Sequence, residues 1–382
     1  MRVVMVTSNF PETPETPVGG VAAVCACLAQ ALVKAREDID LHVVHYPAPR
    51  AFRNEKRGSP SYTLHGLTGS RWSNYDPTGS WMRSRVSRIL KELQPDVVHI
   101  QNHASLFDPS RQPALLTIHG ITERDTYLRA RRLKRTRTFL VKLRESAYRS
   151  SYPITIAIAD YVIQQLQEDA KAKAHLIHNP IQDHFFDAAN CPGDAPPTVL
   201  QVGVLIPRKN ALASIEAIGI LNKRGVDCRL RLAGPPKDPL YTQELHDAVD
   251  RLGIQKHVDF LGAISQSDVA EELRSCRVLA LPSYQETAPM TISEASAMGL
   301  PCVVSAAGGS AEMVAHGRSG FVIDPDNPTD MADALQPLLE DPSKANEMGL
   351  QAREFAGRYR AQHVAEQTLA LYDKLQSDSA HA

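Results

Sequence analysis

The chain has 382 residues, a formal net charge of −1, 43% hydrophobic residues and 22% charged residues. That length exceeds one ordinary hydrophobic core and predicts two domains of roughly 150–200 residues each. The near-neutral balance excludes bulk charge as a basis for binding nucleic acid or membrane, so an electrostatic partner has to be met by a local patch.

In chain order, short apolar runs alternate with amphipathic stretches, the pattern of parallel sheets flanked by helices. In the first half the expected strands are Arg2–Thr7, Asp40–Tyr46, Ser61–Leu67, Asp96–Gln101, Ala114–His119, Ile154–Ala159 and His175–His178. Helices are expected over Gly20–Ala35 and near Arg83–Leu93. The second half continues with strands at Thr198–Leu205, Arg229–Ala233, Val258–Gly262, Val278–Leu281, Cys302–Ser305 and Phe321–Ile323. Between the halves, Asp187–Pro197 carries Asn190, Pro192, Gly193, Asp194, Pro196 and Pro197, a linker composition. Val364, Leu369, Leu371, Tyr372 and Leu375 have helical spacing, so Ala361–Leu375 reads as an amphipathic helix crossing back onto the first domain, with a frayed tail from Ser377. The expected division is 1–186, 187–358 and the helix 359–382. Two doubly wound domains would then face each other across a central cleft, with ligands beyond the carboxyl ends of their strands.

The opening run MRVVMVTSNF is too short for a signal peptide, and no stretch of about 18 apolar residues suggests a membrane span. The six cysteines form no CxxC and no zinc-finger spacing, which fits a reducing cytoplasm.

The segment richest in chemistry is Leu281–Gly309. A strand ends near Pro282, a loop carries Glu286, and a helix begins near Pro289, a residue tolerated in a first helical turn. The backbone N–H groups of Met290 and Thr291 would then be free to meet an anion. Glu286 and Glu294 are placed to accept hydrogen bonds from vicinal hydroxyls. The competing readings are a capping box over Thr291–Glu294 and a solvated Glu286.

Arg208 and Lys209 follow the strand at Thr198 and precede a helix over Ala211–Lys223, where fixed cations would face a diphosphate. The alternative is a solvated basic turn. Gly19 and Gly20 open the first helix, where backbone can approach a phosphate, although an ordinary loop is the commoner explanation. His119 ends a strand and is a candidate partner for a sugar hydroxyl, with His99, His103 and His178 near other strand ends.

Arg129–Arg149 holds nine Lys/Arg and one acid, Glu145, interleaved with apolar residues. It reads as a surface for anionic membrane, a solvated helix face or a lid. Nucleic acid is disfavoured, because no recognised binding module accompanies the patch. The triplets Asp38-Ile39-Asp40 and Asp324-Pro325-Asp326 read as turn chemistry rather than metal ligands. No dinucleotide fingerprint and no P-loop occur.

These residues resemble a family. Glu286 to Glu294 reproduces the E-x7-E spacing of retaining GT-B glycosyltransferases, notably glycosyltransferase family 4. The stretch EASAMGLPCVVSAAGGSAEMVAHGRSGFVIDPDN resembles that family's donor domain, GVLIPRKN its phosphate loop and FLGAISQSDV its nucleobase strand. The Gly19-Gly20 turn, PDVVHIQNH, LLTIHG, ITIAIADYV and LIHNPI resemble acceptor-domain landmarks. The resemblance implies a GT-B fold and a hexosyl- or glycosyltransferase that uses a nucleotide sugar, with UDP- or GDP-sugars foremost, and no bound metal or other cofactor. The basic segment Arg129–Arg149, with no membrane span, adds the expectation of a glycan or lipid-linked acceptor in cell-surface polysaccharide or glycolipid synthesis, with the protein cytoplasmic and peripheral at the inner membrane face. Of the site residues, Glu294 would bind ribose, Glu286 the donor sugar, and Ala288, Pro289, Met290 and Thr291 the sugar and diphosphate. Lys209, with Arg208, would neutralise that diphosphate, His119 would lie near the transferred sugar, and Gly19-Gly20 would approach the phosphate. Two positions depart from the pattern. Val204 stands where Arg is common, and Thr287-Ala288-Pro289 replaces Gly-Phe-Gly. A nucleotide-sugar epimerase or hydrolase of the same fold, and a non-enzymatic binding relative, are the rival readings.

Overall fold

The computed structural model describes residues 1–8, 10–11, 19–48, 51–69, 80–120, 134–187 and 192–380. The chain divides into two compact units, Met1–Pro180 with Ala361–Ala382, and Ile181–Arg360.

The first unit holds an eight-stranded sheet of order β3-β4-β2-β1-β5-β6-β7-β8. Its strands are β1 (Arg2–Thr7), β2 (Asp40–Ala48), β3 (Phe52–Arg57), β4 (Tyr62–Thr68), β5 (Val97–Gln101), β6 (Ala114–Ile118), β7 (Ile154–Ala157) and β8 (Ala174–Leu176). All neighbours pair in parallel except β3 with β4. Central strands such as β5 and β6 are buried at every position, as expected where helices cover both faces. Strand order reverses between β1 and β5, which makes the carboxyl ends of that pair the topological switch point. Sequence reasoning missed β3, because FRNEKR is charged. It is an edge strand, and its antiparallel pairing with β4 leaves much of it in water.

Helix α1 (Gly20–Ala35) follows β1, α2 (Ser80–Leu93) precedes β5 and α3 (Lys134–Ser151) precedes β7. The second unit has six parallel strands in the order β11-β10-β9-β12-β13-β14. They are β9 (Thr198–Val202), β10 (Arg229–Ala233), β11 (Val258–Gly262), β12 (Val278–Leu281), β13 (Cys302–Ser305) and β14 (Gly320–Ile323). The longer helices around them include α4 (Ala211–Lys223), α5 (Pro239–Leu252), α6 (Gln266–Ser275), α7 (Met290–Ala297), α8 (Pro328–Glu340) and α9 (Pro342–Phe355). Here the order reverses between β9 and β12.

Two stretches differ from their sequence reading. Pro192–Pro197, part of the suggested linker, is tied into the second unit. The Arg277 guanidinium donates to Gly193 O, Ala195 O and Leu339 O, and Gly193 N donates to Asn346 Oδ1 at 2.7 Å. The last helix, α10 (Ala361–Ala380), runs past the point where fraying was expected. Ser377 and Ser379 donate back to Asp373 O and Leu375 O at 2.9 and 2.7 Å, which satisfies their hydroxyls within the helix. Val364, Ala365, Leu369, Tyr372 and Leu375 of α10 share a core with Leu28 and Leu32 of α1. Burial of each large side chain stabilises that docking by about 1.5–3 kcal/mol. Arg36 adds a bidentate pair to Asp373 at 2.7 and 2.6 Å.

Candidate functional site

In the second unit the polar chemistry gathers at the β9/β12 switch point. Beyond β9 the chain passes Gly203 and forms a single tight turn over Pro207–Lys209. Close approach of backbone is built in here, since a Cβ on Gly234 would lie 1.9 Å from Gly203 O. Gln201, buried in β9, pins the turn. Its amide donates to Lys209 O at 2.9 Å, and its oxygen accepts from Ser214 Oγ at 2.6 Å. A glutamine inside the apolar run TVLQV was the signal for this support, and sequence reasoning gave it no role. Asn210 closes the turn in the left-handed region (φ 52°), and its side chain donates to Pro325 O at 2.8 Å.

The loop after β12 docks onto this turn. Tyr284 N donates to Arg208 O at 2.9 Å, and Arg208 Nη1 donates to Gln285 O at 2.5 Å. Glu286 Oε1 then sits 2.6 Å from Lys209 Nζ and 3.0 Å from Arg208 Nη1. The Glu286 peptide is fixed from behind, since its oxygen accepts from Gly309 N at 2.9 Å. Gly308 (φ 78°) is obligatory there, because a Cβ would lie 2.4 Å from Glu286 O. Neither the solvated loop nor the solvated basic turn describes these residues. Lys209 and Glu286 side chains keep 14% and 12% of their exposure, and Arg208 reaches the carboxylate despite its different place in the turn.

Four residues beyond Met290, in α7, lies Glu294. The helix N-cap is Pro289, with no side-chain capping bond, so the capping box read over Thr291–Glu294 is not formed. A real one exists elsewhere, where Ser265 and Asp268 cap α6. Glu294 is 6% exposed, and burial is the one influence on its carboxyl, with no hydrogen bond or ion pair from a described residue acting on it. Burial pushes its pKa up to about 7. An unpartnered carboxyl in the first turns of a helix is costly to keep unless a ligand supplies donors. Ala288, Pro289, Met290 and Thr291 line the half-buried approach to α7. The first-turn N–H groups there are ones a helix cannot satisfy internally.

The remaining candidates belong to the first unit. Gly19 is the N-cap of α1, the helix that follows β1. It is exposed, its φ of −71° suits any residue, and a Cβ would meet nothing within 4 Å. Gly20, also exposed, is the first helical residue. Pro17 and Val18 lie outside the described residues.

His119 follows β6 and is buried, with Nε2 2.7 Å from Gln101 Oε1 and its backbone N–H on Asn102 Oδ1 at 3.2 Å. Burial pulls its pKa down to about 4. His99 is not at a strand end but inside the sheet, fully buried. His178 Nδ1 lies 3.2 Å from Ile158 O. Of the DxD triplets, Asp40 pairs with Arg2 and His42, and Asp324 accepts from Asp326 N at 3.0 Å.

The described part of the basic segment is α3, with 129–133 outside the described residues. Glu145 is fully buried and accepts from Ser105 Oγ at 2.7 Å, and Arg149 is buried beside it on the same face. Phe139 and Leu143, one turn apart, are 59% and 54% exposed on another face, next to exposed Lys142.

Two doubly wound sheets, parallel apart from the β3 edge strand, with polar groups collected at their carboxyl edges, define an α/β protein of the GT-B fold class. Comparison with solved structures agrees. The chain is similar over 99% of its length to 99% of sucrose-phosphate synthase from Thermosynechococcus elongatus, with TM-score 0.79 and 19% identity. It is similar over 98% of its length to all of the Anabaena protein HepE in complex with UDP, with TM-score 0.72 and 17% identity. Residues 18–185 match the model of Glycosyltransferase Family 4, and residues 185–355 that of Glycosyl transferases group 1. The chain belongs to this glycosyltransferase family. Among curated relatives, a D-inositol 3-phosphate glycosyltransferase of Stackebrandtia nassauensis is 38% identical over 128 residues, 34% of this chain and 29% of the relative. That of Corynebacterium glutamicum (strain R) is 32% identical over 175 residues, 45% of this chain and 42% of the relative. The matches thus span less than half the length of these relatives.

Proposed function

We propose that the chain is a retaining glycosyltransferase whose second unit holds a nucleotide-sugar donor, a UDP- or GDP-sugar first among them. The observation that carries the reading is the pairing of Lys209 and Arg208 with Glu286, close in sequence to the orphan carboxyl of Glu294, at one switch point. In the ligand-free state Glu286 neutralises both cations. A diphosphate takes the cations over and releases Glu286 to accept from hydroxyls of the donor sugar. Glu294, ionised once two ribose hydroxyls donate to it, anchors the nucleoside. As the glycosidic bond breaks, charge grows on the leaving diphosphate. A fixed Lys209 and the amino end of α7 then stabilise the transition state more than the ground state. His119 hydrogen-bonds the transferred sugar, and bare Gly19 and Gly20 let phosphate approach the amino end of α1. The donor-bound neighbours lend support, since HepE was solved with UDP and with UDP-glucose.

The test is a thermal-shift screen of UDP-, GDP-, ADP- and dTDP-sugars. Mass action requires the true donor to raise the melting temperature most. No shift with any of them would remove the reading. An epimerase or hydrolase of the same fold would consume the donor without acceptor, which separates that alternative.

For the acceptor we propose a glycan or lipid-linked sugar at the inner, anionic membrane face, as in cell-surface polysaccharide synthesis. Exposed Phe139 and Leu143 beside Lys142 support it, because apolar side chains flanked by cations suit an interfacial helix. No helix among the described residues is long and apolar enough to cross a membrane, so contact would be peripheral. Co-sedimentation with vesicles that increases with anionic lipid and drops in Phe139→Ser/Leu143→Ser is expected, and lipid-independent behaviour would contradict it.

A further inference from the structure

The first unit buries a chain of polar side chains that runs from the terminal helix to His119. The Tyr372 hydroxyl, on α10, lies 2.7 Å from His99 Nδ1. His99 Nε2 lies 2.7 Å from Thr117 Oγ1 and 3.0 Å from one end of the Gln101 amide. The other end of that amide lies 2.7 Å from His119 Nε2. Tyr372 and His99 are wholly buried and Gln101 is 1% exposed, so each donor here must find an acceptor inside the protein.

The protons can be followed inward from the helix. Burial pulls His99 down to about 3 and His119 to about 4, so both rings are neutral, each with one N–H and one lone pair. Burial also keeps the Tyr372 phenol protonated. Its one hydrogen-bond partner among the described residues is His99 Nδ1, which therefore accepts. The His99 proton then sits on Nε2, facing Thr117 Oγ1 and Gln101. An N–H there needs the amide oxygen opposite it. The two ends of a glutamine amide exchange by a half-turn and are assigned only from such networks. The orientation in the structure puts the amide nitrogen toward His99. Thr117 Oγ1 can accept from that N–H, but the amide nitrogen then opposes it donor to donor, and moving the His99 proton to Nδ1 to relieve this strands the phenolic proton. Turned over, the amide donates to His119 Nε2, and the His119 proton moves to Nδ1. Asn179 is waiting there. His119 Nδ1 and Asn179 Oδ1 are both buried without a well-formed hydrogen bond, and the Asn179 side chain favours a protonated neighbour.

We infer that the Tyr372 hydroxyl, through His99 and Gln101, fixes His119 as the Nδ1–H tautomer, so that Tyr372, His99 and Gln101 are positioning residues for the ring at the β6 edge. The link from that ring to the transferred sugar rests on the proposed function, whereas the tautomer belongs to the chain alone. The terminal helix then does more than cover α1. It sets which nitrogen of His119 donates, to Asn179 or to a sugar hydroxyl.

The test is long-range proton–nitrogen NMR of the full chain with 15N-labelled histidine, the His119 signals being identified by their loss in His119→Gln. Wild type is expected to carry the proton on Nδ1. Tyr372→Phe, which keeps the buried ring and removes only the hydroxyl, is expected to lower the Nδ1–H fraction measurably. Gln101→Met should do the same without touching the helix, which keeps the test open if the Phe variant does not fold. A wild-type His119 protonated on Nε2 overturns the inference, as does an unchanged tautomer in a folded variant. A protein that binds no sugar nucleotide would still give the expected spectra, so failure here and failure of the donor reading are distinguishable.

Discussion

The carboxyl edges of the two sheets meet the same problem, polar groups in a poorly hydrated place, with opposite chemistry. The β9/β12 edge uses charge, with two cations on Glu286 and a lone carboxyl at Glu294. The β5/β6 edge uses neutral groups, Gln101 and His119, backed by His99 and Thr117 from inside the sheet, which pass hydrogen bonds along. A charged edge can be remade by a charged ligand, since a diphosphate can replace Glu286. A neutral edge links most of its members to one another and leaves His119 Nδ1 and Asn179 Oδ1 without a well-formed bond. The comparison teaches a contrast that the proposed function reads as a division of labour, with donor binding at the charged edge and orientation at the neutral one.

The largest effect should come from breaking the charged edge. Lys209→Ala is expected to lower kcat with the cognate donor by about 10²–10³, the loss typical when one preorganised group facing developing charge is removed. Steady-state kinetics would check this, and a loss below tenfold would shift the chemistry away from this edge.

Next is Glu294→Gln, which should weaken sugar-nucleotide affinity by about tenfold or more while stabilising the free protein at high pH. The sign follows from linkage. The folded-state pKa is raised to about 7, so the stability attached to the neutral acid is present below the unfolded value and lost as pH rises through about 7. The penalty at pH 8 amounts to roughly 3 kcal/mol at most, and the amide removes it. Wild type and variant melting temperatures should therefore diverge between pH 5 and pH 8, and parallel curves would contradict the burial of an unpaired acid. The same group makes donor affinity increase as pH rises through about 7, by a smaller factor, measurable by calorimetry.

The smallest effect is at Gly19→Ala. The added methyl meets no atom of the described residues within 4 Å, so stability should change by less than about 0.5 kcal/mol. Donor affinity should nevertheless fall a few-fold, because the open space is read as room for phosphate. A variant that binds as well as wild type would assign the glycine to chance.

The charged edge was legible in the sequence because its residues cluster in two short segments at strand ends, and because charge in an apolar context is conspicuous. Arg208, Lys209, Glu286 and Glu294 could be named from spacing and family resemblance together. The supports could not. Gln201, Gly308 and Gly309 act across strands, and only Gln201, polar inside the apolar run TVLQV, carries a local mark. The neutral edge was harder still. His99 and Gln101 look like ordinary members of a buried strand, and their partner Tyr372 lies 273 residues from His99, so no window of sequence contains both. Strand positions were readable wherever the run was apolar, as in β1, β12 and β13. They failed at β3, where an edge strand carries charge by design of its exposure.

Hydrogen exchange read by mass spectrometry, with and without the donor that the thermal screen selects, tests the central claim most directly. Donor is expected to slow exchange in peptides spanning Gly203–Asn210 and Tyr284–Glu294, because both loops close on the same ligand. Binding that protects neither segment, or protection that survives undiminished in Lys209→Ala, would contradict a nucleotide sugar held at the β9/β12 switch point.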